Sequence, residues 1–358
     1  MKKKLVISLF IGIVLSGIAC YLAFRNVPFG ELMRYLGDIN YMWMLVAMFV
    51  GIVTFFLRTW RWQIILSTSV RVGFKQAFHP LMIGFMMNCL LPGRVGEVAR
   101  PVILKKQSGV AFTVGMATVV VERLFDAILL LSFFAVVLGV VNIDPELDIA
   151  YGGYHLTAAT LEKLGSGFLR LTVVLLAGIV GLSITAIRIF FERMLLKVPA
   201  LFFFCGDGFK TGIEKSVILP LIGVMQNVAS GFGLVRQPYK VVLCLLLSFL
   251  IWFLSAVAIY MMSLGAPGIG LSFLEMATVM IIICFFIFLP SVPGFWGLWE
   301  AGGIFALTLF GVSHSDAAGF TLANHAAQLF PVIVVGLFSA VVTGVNFWQV
   351  SYVSADSK

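Results

Sequence analysis

The chain places Val121-Glu122-Arg123-Leu124-Phe125-Asp126 inside a long apolar run. Each charged residue at the centre of a bilayer costs about 2.5–3.5 kcal/mol on insertion scales, so such residues are kept for a function or a partner. Glu122 and Asp126 are one helical turn apart on one stripe, and Arg123 stands three residues before Asp126. The triad neutralises itself in part and leaves one negative charge over. Arg94 or Arg100 of the preceding segment, or a cationic group on a substrate, would offset it. Depth separates two readings. A helix entering lipid near Val119 leaves the triad at the rim, whereas one entering near Val110 carries Glu122 about 18 Å inward.

Other residues of the same kind cluster at breaks in the hydrocarbon. Asn88-Cys-Leu-Leu-Pro-Gly-Arg94-Val-Gly-Glu97-Val-Ala-Arg100 combines a proline–glycine break with two guanidinium groups and a carboxylate. Arginine forks match phosphate geometry, so Arg94 and Arg100 fit a lipid phosphate. Glu97 and Glu300 each follow a glycine-rich turn, where backbone approaches a ligand closely and a carboxylate favours a helix N-terminus. Capping alone is the plainer role for both. His325, beside Asn324, fits a proton relay or a hydrogen-bonded contact between helices. Arg58 and Arg61, interleaved with Trp60 and Trp62, read as an interfacial belt or as a phosphate clamp.

The elements that must position these groups follow from composition. Hydrophobic residues make up 61% of the chain, charged residues 11%, and the mean hydropathy is +1.08. The long runs carry no strand alternation, which specifies a helical bundle rather than a barrel. Full crossings are expected at about 5–24, 41–66, 111–141, 168–190, 241–264 and 317–346. The segment 77–91 is too short to cross and has basic residues on both sides, as a re-entrant hairpin does; 271–311, broken at Pro290–Pro293, is a second hairpin. The stretch 217–235 reads as an interfacial helix. Of the 24 Lys and Arg, 19 fall in segments this topology places inside, which puts both termini in the cytoplasm. The expected fold class is therefore an all-α polytopic membrane protein, with about six full crossings and two re-entrant helical hairpins.

Pro92-Gly-Arg-Val-Gly-Glu97 parallels Pro293-Gly-Phe-Trp-Gly-Leu-Trp-Glu300, and 25 residues beyond each glutamate lies a polar group, Glu122 or His325. This is read as an inverted repeat within a single integral membrane domain spanning 1–358. Its halves run from about 41 to 141 and from 241 to 346, joined by 142–240. Inverted repeats with broken helices are how many secondary transporters build a substrate site.

Several classes are excluded. The net charge of +8 follows the positive-inside bias and does not indicate nucleic acid. The five cysteines form no paired motif, so no metal is implied. No phosphate-binding loop, H-E-x-x-H or G-x-S-x-G sequence is present, and no cofactor is implied.

Four motifs in order carry a resemblance: Arg58-x-x-Arg61-Trp62, Asn88-x-x-Leu-Pro-x-Arg94-x-Gly-Glu97-x-x-Arg100, Val121-Glu-Arg-Leu-x-Asp126 and Pro293-Gly-x-x-Gly-x-x-Glu300. Together they resemble the flippase-like membrane domain of lysylphosphatidylglycerol synthases, over essentially the whole chain. The resemblance implies a protein of the bacterial cytoplasmic (inner) membrane that moves a charged or glycan-bearing lipid between leaflets. The soluble aminoacyl-transferase domain of the full synthase is absent from this sequence, so lysyl transfer is not assigned. Asn324-His325 stands where many relatives are expected to carry an arginine. The leading expectation is a lipid flippase or secondary transporter, with Arg94, Arg100 and Arg123 on phosphate and Glu97, Glu122, Asp126 and Glu300 facing a cation, proton or sugar. Expected partners are membrane lipids, either phospholipid or lipid-linked saccharide, with a homo-oligomer or an envelope-synthesis enzyme as a protein partner. The alternatives are an intramembrane enzyme acting on a lipid headgroup and a structural partner of an envelope-synthesis enzyme.

Overall fold

The computed structural model describes residues 2–140 and 237–345, apart from 26, 92, 93, 290 and 291, and parts of 148–218. Helix α1 (Lys2–Phe24) meets α2 (Phe29–Asp38) at 81°. The strongly amphipathic α2 buries Tyr35, whose hydroxyl donates to the Pro267 carbonyl at 3.0 Å. Then follow α3 (Tyr41–Leu66), α4 (Phe74–Leu90), α5 (Val95–Ser108) and α6 (Phe112–Val140). After β1 (Asp148–Tyr151), β2 (Tyr154–Thr157) and α7 (Thr185–Leu201) come α8 (Pro238–Leu264), α9 (Phe273–Phe286), a 3₁₀ turn at Pro293–Phe295, α10 (Leu298–Leu309) and α11 (His314–Thr343).

The protein is a helical membrane protein. Among the described residues α3, α8 and α11 are each long and apolar enough to cross a bilayer, and the bent α1–α2 pair makes up to four. One feature outside the helices adds to the expected all-α fold. The polar loop after α6 contains an antiparallel hairpin that pairs Asp148 with Thr157 and Tyr151 with Tyr154. Its strands are four residues each, too short for an alternating pattern to stand out in the sequence. The expected interfacial helix at 217–235 and most of the expected crossing at 168–190 lie outside the described residues.

A long helix, two short helices and a second long helix occur in that order twice: α3, α4, α5, α6, then α8, α9, α10, α11. Contacts repeat with the order. The short helices pack as pairs, α4 on α5 and α9 on α10; α5 touches α6 as α10 touches α11; and α4 lies on α11 as α9 lies on α6. The two leading helices, α3 and α8, pack against each other.

Local sequence explains the breaks. Arg94 precedes α5 with left-handed φ/ψ of 54° and 37°, which turns the chain back on α4. Ser272 and Glu275 form a capping box at the start of α9. The first pair is drawn tight at Gly84 and Gly96, where any Cβ on Gly96 would run into the Gly84 carbonyl oxygen. Asn88 fixes that contact, its side-chain oxygen accepting from the Gly96 N–H at 2.8 Å. The apolar core centres on α8, α9, α10 and α11, with Met262, Met276, Val279, Ala306 and Leu307 fully enclosed.

Candidate functional site

Helix α6 turns Glu122 and Asp126 inward, where α3, α5 and α8 converge on them. Arg61 of α3, with no exposed surface, is the hub. Its Nη1 donates to Asp126 Oδ1 at 2.7 Å and to Ser248 Oγ at 2.6 Å; its Nη2 donates to Glu122 Oε1 and Asp126 Oδ2, each at 3.2 Å. Arg100 of α5 donates to the other oxygen of Glu122 at 2.9 Å and lies over the Trp62 ring, 4.3 Å from its centroid. Trp252 of α8 donates its indole N–H to Asp126 at 3.2 Å. Arg123, about one-third exposed, stands 3.5 Å from both Glu122 and Asp126 and 3.8 Å from Glu97. Trp62 in turn donates to Thr118 at 2.9 Å, which locks the face of α3 against α6.

The charge count corrects the sequence expectation. Arg61, Arg100 and Arg123 oppose Glu97, Glu122 and Asp126, so no negative charge is left over. Arg100 supplies part of the balance, as one expectation had it, but Arg61 supplies the larger part. It does not sit in an interfacial belt: burial is complete and both carboxylates of α6 contact it. Arg94 takes no part in the cluster. It donates to the Ile287 carbonyl at 2.9 Å and stacks on Phe288, which joins the loop after α4 to the end of α9.

Arg58, one turn before Arg61, differs from the others. Among the described residues its guanidinium has no carboxylate within ion-pair distance and no hydrogen-bond acceptor, and Asp126 and Glu122 act on it only at longer range. It lies between two aromatic rings, 5.7 Å from the centroid of Phe85 and 5.6 Å from that of Trp252. Counted with Arg94, which lies within electrostatic range of Glu97 and Arg123, the region has more arginines than carboxylates, and Arg58 is the one with no described ion pair or hydrogen bond.

The second helix series carries a smaller pair. Glu300, in the first turn of α10, accepts the Gly297 N–H at 2.7 Å with one oxygen. Its other oxygen is 2.6 Å from His325 Nδ1, and His325 Nε2 is 2.8 Å from the Gly294 carbonyl oxygen. Trp299 stacks on the imidazole at 4.6 Å and Trp296 leans on it at 4.4 Å. Glu300 and His325 are both 1% exposed. Asn324, also 1% exposed, turns away from this pair's hydrogen bonds: both polar atoms of its amide are buried without a partner. No described hydrogen bond or ion pair joins this pair directly to the arginine cluster, so the expected residues form two hydrogen-bonded groups.

Sequence reasoning overlooked Ser248 and Trp252, which complete the first cluster from α8. A serine and a tryptophan four residues apart in an apolar helix give a weak signal, readable only once a buried arginine is known to face them.

This arrangement can be set beside known proteins. The family model for the lysylphosphatidylglycerol synthase TM region matches residues 9–336. The chain belongs to that family. The match takes in the first helix series, the second as far as residue 336 within α11, and every residue of the two clusters. Among curated proteins, the chain is 23% identical to a protein named glycosyltransferase AglD from Haloferax volcanii, over 93% of this chain and 54% of that protein. It thus spans about half the length of that relative. No solved structure matches.

Proposed function

We propose that this member of the lysylphosphatidylglycerol synthase TM family moves a phosphate-bearing lipid between leaflets, and that Arg58 holds the phosphate. The observation that carries the reading is the surplus cation. A guanidinium with five N–H donors and no acceptor is costly inside a membrane, and a phosphodiester supplies one negative charge and several acceptor oxygens. Phe85 and Trp252 stabilise the cation through their ring faces without using its N–H donors. Around it, the neutralised cluster of Arg61, Arg100, Arg123, Glu97, Glu122 and Asp126 is the wall of the site.

The repeated helix series supports a transporter architecture in which α4–α5 and α9–α10 are re-entrant hairpins of an inverted repeat. Helices of 17, 14, 14 and 12 residues are about 25, 21, 21 and 18 Å long, short of the roughly 30 Å hydrocarbon core. The distribution of basic residues supports both termini in the cytoplasm of a bacterial-type inner membrane.

The test is leaflet redistribution of a fluorescent phosphatidylglycerol in proteoliposomes, with Arg58→Gln beside the unchanged protein. Loss of redistribution in a variant that stays folded is the expected result. Equal rates for the two proteins across phosphatidylglycerol, phosphatidic acid and a polyprenyl-phosphate probe overturn the assignment. The name of the archaeal relative supports a lipid-linked saccharide as a second cargo class. A headgroup-modifying enzyme with Glu97 and Glu122 as acid and base is the weaker alternative, because Glu122 is already bound by two guanidinium groups and Glu97 lies 3.8 Å from a third.

A further inference from the structure

His325 presents a proton-counting problem that its geometry resolves. Nε2 faces the Gly294 carbonyl, which only accepts, so Nε2 carries a hydrogen. Nδ1 faces a Glu300 oxygen at 2.6 Å. A neutral ring with its hydrogen on Nε2 would point a lone pair at a carboxylate lone pair across that distance. The contact therefore holds a second proton, either on Nδ1 as imidazolium or on Glu300 as the acid. We infer that Glu300–His325 is a proton-carrying site, and that its proton is coupled to movement of the two helix pairs against each other. The coupling rests on the transport reading above; the proton site itself does not.

The surroundings favour exchange of that proton. Two further polar groups beside the pair are buried without partners: Trp299 Nε1, on the ring stacked against His325, and Thr321 Oγ1, one turn back on the same face of α11. Buried polar atoms left open in this way are where ordered water enters a protein interior, and water is the vehicle a proton needs. The titratable groups facing the pair are few. Glu300 comes from α10, and the Cys20 thiol of α1 lies within electrostatic range of Glu300. Helix α2 meets α11 through Glu31 at Ser315 and Tyr35 at Gly319, six or more residues from His325. Where α3 and α4 touch α11 they bring Gly51 against Gln328 and Met82 and Met86 against Gly336. Helix α8 reaches α11 through a smaller contact. Among the described residues none of these three helices places a charged group on the pair.

The mechanical link runs through Gly294. Its backbone has φ of 70°, and it lies against the Cys89 carbonyl at the end of α4, where an added Cβ would stand 3.2 Å away. On the other side its own carbonyl takes the His325 hydrogen. Removing the proton leaves two lone pairs opposed at 2.6 Å, so the imidazole must turn. Turning breaks the bond to Gly294 at the point where the second helix pair touches the first. Uptake from one side of the membrane and release to water on the other would thus bias the two arrangements.

Glu300→Gln is the decisive variant. Glutamine keeps both bonds, donating to Nδ1 and accepting from the Gly297 N–H, but carries no exchangeable acid proton. The full chain is reconstituted in phosphatidylglycerol–phosphatidylethanolamine vesicles under an imposed pH gradient, with pyranine reporting protons and a fluorescent phosphatidylglycerol reporting leaflet exchange. The expected result is gradient-dependent exchange in the unchanged protein, and exchange indifferent to the gradient in Glu300→Gln and His325→Gln. Gradient dependence that survives in both variants overturns the coupling. In parallel, ¹⁵N spectra of the reconstituted protein assign His325 by comparison with His325→Gln. A ring signal that is protonated on both nitrogens, or a Nδ1 hydrogen-bonded to a carboxylic acid, supports the proton site. A signal protonated on Nε2 alone with a free Nδ1 between pH 5 and pH 9 overturns it. Absence of lipid movement in every protein, with the shared-proton signal intact, refutes the transport reading and the coupling and leaves the proton site standing.

Discussion

Replacing Arg61 with methionine isolates what the buried cluster contributes. The substitution keeps most of the side-chain volume and removes four hydrogen bonds: two to Asp126, one to Glu122 and one to Ser248. Glu122 keeps Arg100 at 2.9 Å. Asp126 is left with Arg123 at 3.5 Å and the Trp252 indole at 3.2 Å. Removing one partner of a buried ion pair costs about 3–5 kcal/mol, because the remaining charge stays desolvated. Most of that loss belongs to Asp126, so adding Asp126→Asn should recover about 1–3 kcal/mol, the range of coupling between directly contacting groups. Adding Glu122→Gln instead should recover less, since it strands Arg100. Reversible unfolding of the purified protein in mixed micelles, for the single and double variants, measures each step of this cycle. The reasoning fails if Arg61→Met costs less than about 1 kcal/mol, or if Glu122→Gln rescues it better than Asp126→Asn.

Gly96→Ala should loosen or unfold the first helix pair, because its Cβ meets the backbone carbonyl of Gly84, which cannot swing away; a drop in thermal stability well beyond the roughly 1 kcal/mol of an ordinary glycine replacement, with easier proteolysis between α4 and α5, is the readout. Gly297→Ala should detach α1 from α10, since the added carbon runs into the Ser16 carbonyl and φ is 85° there; a drop in thermal stability with easier proteolysis after α1 reports it. Trp62→Phe should cost about 1–3 kcal/mol, by leaving the buried Thr118 hydroxyl without its donor and thinning the surface under Arg100; the same unfolding assay measures it.

The sequence specified the helices well because hydrocarbon runs and glycine–proline breaks are local signals. Helix α3 matches its expected bounds of 41–66, and the observed 112–140 falls within one residue of the expected 111–141. The chemistry of the cluster was only half legible. Glu122 and Asp126 announced themselves, since two carboxylates in an apolar helix require an explanation. Their main partner did not, because Arg61 sits among tryptophans near a helix end and carries every local mark of a membrane-surface arginine. Only the packing of α3 on α6 and α8 decides between surface and interior, and packing is a long-range property. The pairing of Glu300 with His325 was foreshadowed by the interval of 25 residues from each glutamate to the next polar group. The interval does not reveal that Glu97 in the first helix series is linked to Arg123 instead, one residue further on.

The bond from Arg61 to Ser248 joins residues 187 apart in the chain, and that from Trp252 to Asp126 joins residues 126 apart. During synthesis at about 5–20 residues per second, helix α6 leaves the ribosome many seconds before α8 does. For that interval Asp126 lacks its indole donor and Arg61 lacks its hydroxyl. The first half of the chain therefore enters the bilayer with its polar core unsealed. Completion of α8 closes it, which makes arrival of the second half the step that commits the whole chain to its membrane-embedded form.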